Sequence, residues 1–173
     1  APPRAIVAHL RAVGEVSDRP IIAYNLPQRC VVNIEPETIS ALADIPTVAA
    51  VKQATTDPAE ARHIVEHTRL DLYAGNDDLV QPFLELGGVG GVCVYSHLVG
   101  RRVKEQIARF KAGDVAGARA LDAELRVVME ALSVTTNPIP VKTALALLGH
   151  DVGGFRLPLV EACDDELARM RAG

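Results

Sequence analysis

Tryptophan is absent from the 173 residues, and tyrosine and phenylalanine contribute only three each. So few aromatics leave no stacking platform for bases, and a formal net charge of -4 with scattered signs leaves no basic footprint. Nucleic acid is therefore not an expected partner. Cysteine is scarce as well: Cys30, Cys93 and Cys163 form no C-x-x-C pair and are odd in number, which suits reduced thiols in a cytosol. His63 and His67 stand four apart on an expected helix but lack a third ligand nearby, so no metal is expected. No run of eighteen apolar residues and no charged leader occurs, so the expectation is a soluble, cytoplasmic chain without membrane contact. The chain has no initiating methionine and starts at Ala1-Pro2-Pro3, directly before a helical pattern, as a piece of a longer chain would.

Lysine is the last scarcity. Of 18 basic residues 14 are arginine, and the lysines are Lys52, Lys104, Lys111 and Lys142. Lys104 and Lys111 fall in or at the end of a charged helical stretch and read as solvated face. Lys52 ends the apolar run Thr47-Val48-Ala49-Ala50-Val51 and precedes Gln53-Ala54-Thr55-Thr56-Asp57-Pro58, the signature of a buried strand and its closing turn. At the exit of a parallel strand an ammonium group escapes part of its desolvation cost, and it arrives where α/β folds keep their chemistry. Desolvation favours a neutral amine, the form that attacks ketones. The alternative is that the stem covers apolar surface while the head reaches water.

The hydrophobic content of 49% allows one sizeable core with a helical appendage. Helical spacing over residues 3–16 leads through Arg19-Pro20 to a strand at Ile21-Ile22-Ala23-Tyr24. Pro36 opens a helix to Ala43, the Lys52 strand follows, and Asp57-Pro58 supplies a cap and a first-turn proline for a helix to His67. Leu70 to Tyr73 is the third expected strand, Asn76 to Leu86 a helix, and Gly91 to Tyr95 the fourth strand. Strands separated by single helices imply right-handed crossovers and a parallel sheet. Helices alone are expected afterwards, at 97–111, 114–132, 138–148 and after Asp164. All three tyrosines, Tyr24, Tyr73 and Tyr95, fall at expected strand ends on the rim of Lys52, either as site residues or as amphipathic rings leaving the core. Gly87-Gly88-Val89-Gly90-Gly91 precedes a strand, so it reads as a helix cap and turn, not as a phosphate cradle. Ala74-Gly75-Asn76-Asp77-Asp78 opens a helix with acids that suit its positive end and disfavour an added phosphate.

Tyr24-Asn25-Leu26-Pro27-Gln28-Arg29, Val51-Lys52-Gln53-Ala54, the two segments just described and Asn137-Pro138-Ile139-Pro140-Val141-Lys142 follow one another in an order that resembles the dihydrodipicolinate synthase and N-acetylneuraminate lyase family. The resemblance runs along essentially the whole chain and covers the second part of the family's length. It implies an α/β fold: the C-terminal half of a (β/α)8 barrel over residues 1–112, four parallel strands, then an all-helical domain over 113–173.

By the same resemblance Lys52 is the Schiff-base lysine that condenses with pyruvate, so no cofactor is needed beyond the covalent imine, and Tyr24 relays protons to and from it. Arg29 resembles the arginine that holds the carboxylate of the aldehyde substrate. The backbone at Val92 and the amides of Gly75 and Asn76 resemble groups lining the pocket, and Asn137 resembles a rim residue from the helical domain. The implied activity is condensation of pyruvate with aspartate semialdehyde to 4-hydroxy-tetrahydrodipicolinate in lysine (diaminopimelate) biosynthesis, by a homo-oligomer, a tetramer in the intact parent. The chain departs from the synthase pattern at Cys30, Ala74, Asn76 and Cys93, positions that bear on the second substrate. Two alternatives stand beside this reading. One is another pyruvate-dependent class I aldolase, such as N-acetylneuraminate lyase or 2-keto-3-deoxygluconate aldolase; the other is a catalytically silent half-barrel that self-associates through open strand edges.

Overall fold

The computed structural model describes residues 1–172. Two compact units divide them, Ala1–Cys93 and a second from Val94 on. In the first, helix α1 (Pro3–Val16) precedes strand β1 (Ile21–Asn25), the short helix α2 (Pro27–Cys30) and helix α3 (Pro36–Ala43). Strand β2 (Val48–Gln53), helix α4 (Pro58–His67), strand β3 (Asp71–Ala74), a single 3-10 turn (Asp77–Leu79), helix α5 (Val80–Leu86) and strand β4 (Gly90–Gly91) complete it. The strands lie in the order β1-β2-β3-β4, every neighbour parallel, so each crossover carries helix and the repeat expected from the sequence is present.

Local chemistry fixes the element boundaries. Proline occupies the first turn of α1, α2, α3 and α4, where its missing N–H is no loss. The Asp57 carboxylate caps α4 by accepting from the Ala59 N–H at 2.8 Å. Gly87, with φ 105°, ends α5, and the Gly88 N–H reaches back to the Phe83 carbonyl at 2.7 Å. That left-handed stop is the cap read from the glycine run.

The two sheet faces differ sharply. Ala23, Asn25, Val51, Gln53, Leu72 and Ala74 are buried on one face, in a core that includes Ile39, Leu42, Ile64, Val80, Phe83 and Leu84. The other face carries Ile22 and Tyr24, which are 48% and 44% exposed. Register shifts once between β1 and β2: Ile21 pairs with Val48 but Ile22 pairs with Ala50, so Ala49 is an extra residue. Val48 is thereby turned to the helix side and is fully buried, and Ala50, a mere methyl, is buried too. Only part of that open face therefore meets water.

Two expectations need correction. The fourth strand is not Gly91–Tyr95 but two residues, Gly90–Gly91, because β3 offers only Tyr73 and Ala74 as partners there. Tyr95 consequently ends no strand; it is the N-cap residue of helix α6 (Ser96–Lys111). Tyr24 and Tyr73 each sit one residue short of their strand's end.

The second unit contains α6, α7 (Val115–Ala131), α8 (Ile139–Leu147) and α9 (Asp164–Ala172). Gly113, with φ 87°, and the Asp114 cap on the Gly117 N–H turn α7 back along α6. Buried Gln106 donates to Asp122 across that pair at 3.2 Å, and Arg126 closes the other carboxylate oxygen at 3.0 Å. A division after residue 112 would place α6 with the strands; by packing, α6 groups with α7 and α8.

Candidate active site at the strand exits

Parallel pairing places Tyr24 of β1 opposite Lys52 of β2, and Lys52 opposite Tyr73 of β3. Residues in register on a pleated sheet share a face, so the three side chains project together from the open side. Lys52 is half-buried, and its Nζ lies 3.9 Å from the centre of the Tyr24 ring. An amine over an aromatic face, with a phenol hydroxyl on the same ring, puts a nucleophile beside a proton donor and acceptor.

The loops beyond the strands add the other residues read from the sequence. Arg29 is the third residue of the four-residue helix α2, and its side chain is exposed. Val31, directly after α2, has φ 63° and is 91% exposed. Gly75 follows β3 with its N–H donating to the Gln53 carbonyl at 2.7 Å. A Cβ there would stand 2.8 Å from the Ala54 Cβ and 2.9 Å from the Gln53 oxygen, so no side chain fits. The Asn76 side-chain NH2 donates to the Ala54 carbonyl at 3.2 Å, and that of Gln28 of α2 reaches the same oxygen at 3.5 Å. Val92 is 47% exposed and its N–H bonds the Ala74 carbonyl at 2.9 Å. Asn137 lies in the second unit, exposed, before the cis peptide bond to Pro138.

Cys93 lies close to these groups. Its buried thiol faces the carbonyls of Ala74 and Asn76 at 3.5 and 3.4 Å. Burial pushes its pKa up to about 12, Asp77 adds to the rise, Lys52 opposes it, and Asp78 adds a little more. A thiol so held stays protonated and serves as packing.

Sequence reasoning missed a cluster behind the strands. Asn25 and Gln53, each one residue beyond Tyr24 and Lys52, pair in register on the buried face. Asn25 donates to the Asn33 side-chain oxygen at 2.8 Å, and Asn33 donates to Glu60 Oε1 at 2.7 Å. Gln53 and Thr55 both donate to Glu60 Oε2, at 2.6 and 2.5 Å. The signal available was polar residues at strand positions where alternation calls for apolar ones.

His63, by contrast, hydrogen-bonds Ser40 at 2.8 Å and packs its ring 5.0 Å from that of His67. Among the described residues no three His, Cys, Asp or Glu side chains converge as a metal site, and no helix is long and apolar enough to cross a membrane.

The dihydrodipicolinate synthetase family matches the chain over residues 1–172. The 4-hydroxy-tetrahydrodipicolinate synthase of Thermosynechococcus vestitus is 42% identical over 174 aligned residues, 99% of this chain and 59% of that one. Among solved structures, the synthase of Cyanidioschyzon merolae with lysine bound superposes with a TM-score of 0.96 at 36% identity, covering 99% of this chain and 59% of that one. The chloride-inhibited synthase of Acinetobacter baumannii, in complex with pyruvate, gives a TM-score of 0.93 at 28% identity over 99% and 60% of the two chains. The chain thus spans less than two thirds of the length of these relatives. Its parallel strands with connecting helices match the barrel of these synthases, and the alignment and the superposition each cover 99% of it: the chain belongs to the dihydrodipicolinate synthetase family.

Proposed function

We propose that this chain is the catalytic-lysine part of a 4-hydroxy-tetrahydrodipicolinate synthase, in which Lys52 forms an imine with pyruvate and the resulting enamine attacks aspartate semialdehyde. The observation that carries the reading is the Lys52 amine lying 3.9 Å over the Tyr24 ring at the carboxyl ends of parallel strands. The amine adds to the keto carbon, forming the C–N bond of a carbinolamine; the hydroxyl then leaves as water after taking a proton. The iminium accepts the electron pair released when a methyl proton is removed, which gives the enamine. Tyr24 supplies and recovers these protons.

Arg29 holds the carboxylate of the aldehyde, a task suited to its planar fork. Gly75, Asn76 and Val92 line the pocket with backbone groups, and the role of Asn137 rests on its motif alone. In this reading residues 1–112 are the barrel half, with α6 as the helix after its last strand, and 113–173 are the helical domain. The intact protein is a cytoplasmic homo-oligomer, a tetramer, that needs no cofactor. Another pyruvate-dependent aldolase would retain Lys52 and Tyr24; Arg29 favours the synthase.

Borohydride reduction of the intact protein with pyruvate, followed by peptide mass spectrometry, tests the assignment. The expected product is a stable adduct on Lys52. Modification of Lys142, or of no lysine, would overturn it.

A further inference from the structure

We infer that Glu60 is a positioning residue that locks Tyr24 against Lys52 from the far side of the sheet. The inference rests on the imine reading and extends it to a residue with no access to substrate. Glu60 is the third residue of α4, where Pro58 and the Asp57 cap fix the first turn and the helix dipole favours a carboxylate. One oxygen accepts from Gln53 and Thr55, which flank Ala54 just after Lys52; the other accepts from Asn33, whose own oxygen accepts from Asn25, the neighbour of Tyr24. Asn25 is also held by the Ile34 N–H, which donates to its side-chain oxygen at 3.0 Å. A single carboxylate therefore ties together the residues that follow both reacting side chains.

Adjacent strand residues point to opposite faces, so whatever shifts Asn25 relative to Gln53 shifts Tyr24 relative to Lys52 by the same amount. The geometry leaves little slack, because Asn25 and Gln53 are 1% and 0% exposed. A glutamine at position 60 has one acceptor oxygen in place of two. If it serves Gln53 and Thr55, its NH2 faces the Asn33 NH2. Turning the Asn33 amide to relieve that would set its nitrogen against the Asn25 amide.

The test uses Glu60→Gln, Asn33→Ala and the pair Thr55→Ser and Thr55→Val in the intact protein, with circular dichroism to confirm folding. Misplacement of reacting groups by fractions of an ångström should lower kcat and the rate of borohydride-trappable imine formation on the order of tenfold in E60Q and N33A, while KM for pyruvate changes less than about twofold. T55S, which keeps the hydroxyl donor, should retain the parent rate, and T55V should not. Folded E60Q and N33A variants at the parent rate would overturn the inference. So would equal losses in T55S and T55V, which would mark packing alone, and so would failure of both E60Q and N33A to fold, which would make the cluster a stability element. No adduct from the unsubstituted protein is the separate result that removes the imine reading and this inference with it.

Discussion

Lys52 stands over the face of Tyr24, with Nζ 3.9 Å from the ring centre, and the contact needs the ring but not its hydroxyl. Tyr24→Phe should therefore leave Lys52 in place while removing the proton relay. Turnover in the intact protein is expected to fall by on the order of 10² to 10⁴, with an unchanged circular dichroism spectrum. Near-normal turnover would reduce Tyr24 to the lysine's packing surface.

Arg29 lies beyond the strands on α2, apart from the Lys52–Tyr24 pair in sequence and element. Arg29→Ala should weaken aspartate semialdehyde, seen as a raised KM for that substrate, and leave the pyruvate imine trappable. Loss of imine formation would instead assign Arg29 to pyruvate or to the fold.

Val31 is the single non-glycine residue with positive φ among the described residues, and a β-branched side chain is poorly suited to φ 63°. Strain of about 1 to 3 kcal/mol, less the roughly 0.5 to 1 kcal/mol that glycine loses in chain entropy, leaves Val31→Gly stabilising by up to about 2.5 kcal/mol. The denaturant midpoint should move up with no change in slope. A lower midpoint would show that Val31 earns its place through contacts.

Cys93 gives a pH dependence of known sign. Its thiol titrates near 9.0 when unfolded and near 12 when folded, so between those values the folded state keeps a proton that the unfolded state has lost. Stability should fall as pH rises through that window, and Cys93→Ala should flatten the fall. At pH 8, iodoacetamide should label the exposed Cys30 and Cys163 long before Cys93.

Residues 1–173 expressed alone present Ile22, Tyr24 and Val92 to water on one sheet face. At about 25 cal/mol per Å² of apolar surface, that face favours self-association. Light scattering should report dimers or larger species, and a coupled assay little or no synthase turnover. A monodisperse monomer, or activity near that of an intact synthase, would contradict both expectations.

Element starts were legible because they are written locally: Pro36 and Asp57-Pro58 mark helix entries whatever lies elsewhere, and Lys52 closes an apolar run bounded by turn residues. The short fourth strand was not, since Val92-Cys93-Val94 has strand composition but pairing depends on how far β3 extends beside it. The Glu60 cluster was hidden for a similar reason. Asn33 and Glu60 are 27 residues apart, and nothing in either neighbourhood signals the other.

The extra residue Ala49 has a consequence for evolution by insertion and deletion. Side chains along a strand alternate with a period of two, so one inserted residue inverts the phase of everything after it unless a bulge absorbs it. Val48 and Lys52 are separated by an even number of positions, yet Val48 faces the helices and Lys52 the open side. Removing Ala49 while keeping Ile21 against Val48 would leave Tyr24 against Lys52 and restore unbroken alternation, so Lys52 would stay on the open side and Gln53 in the buried layer. The bulge thus shields the lysine's facing from length changes upstream: a single-codon deletion at Ala49 would spare it, and only the loss of a second residue between Val48 and Lys52 would turn the amine inward.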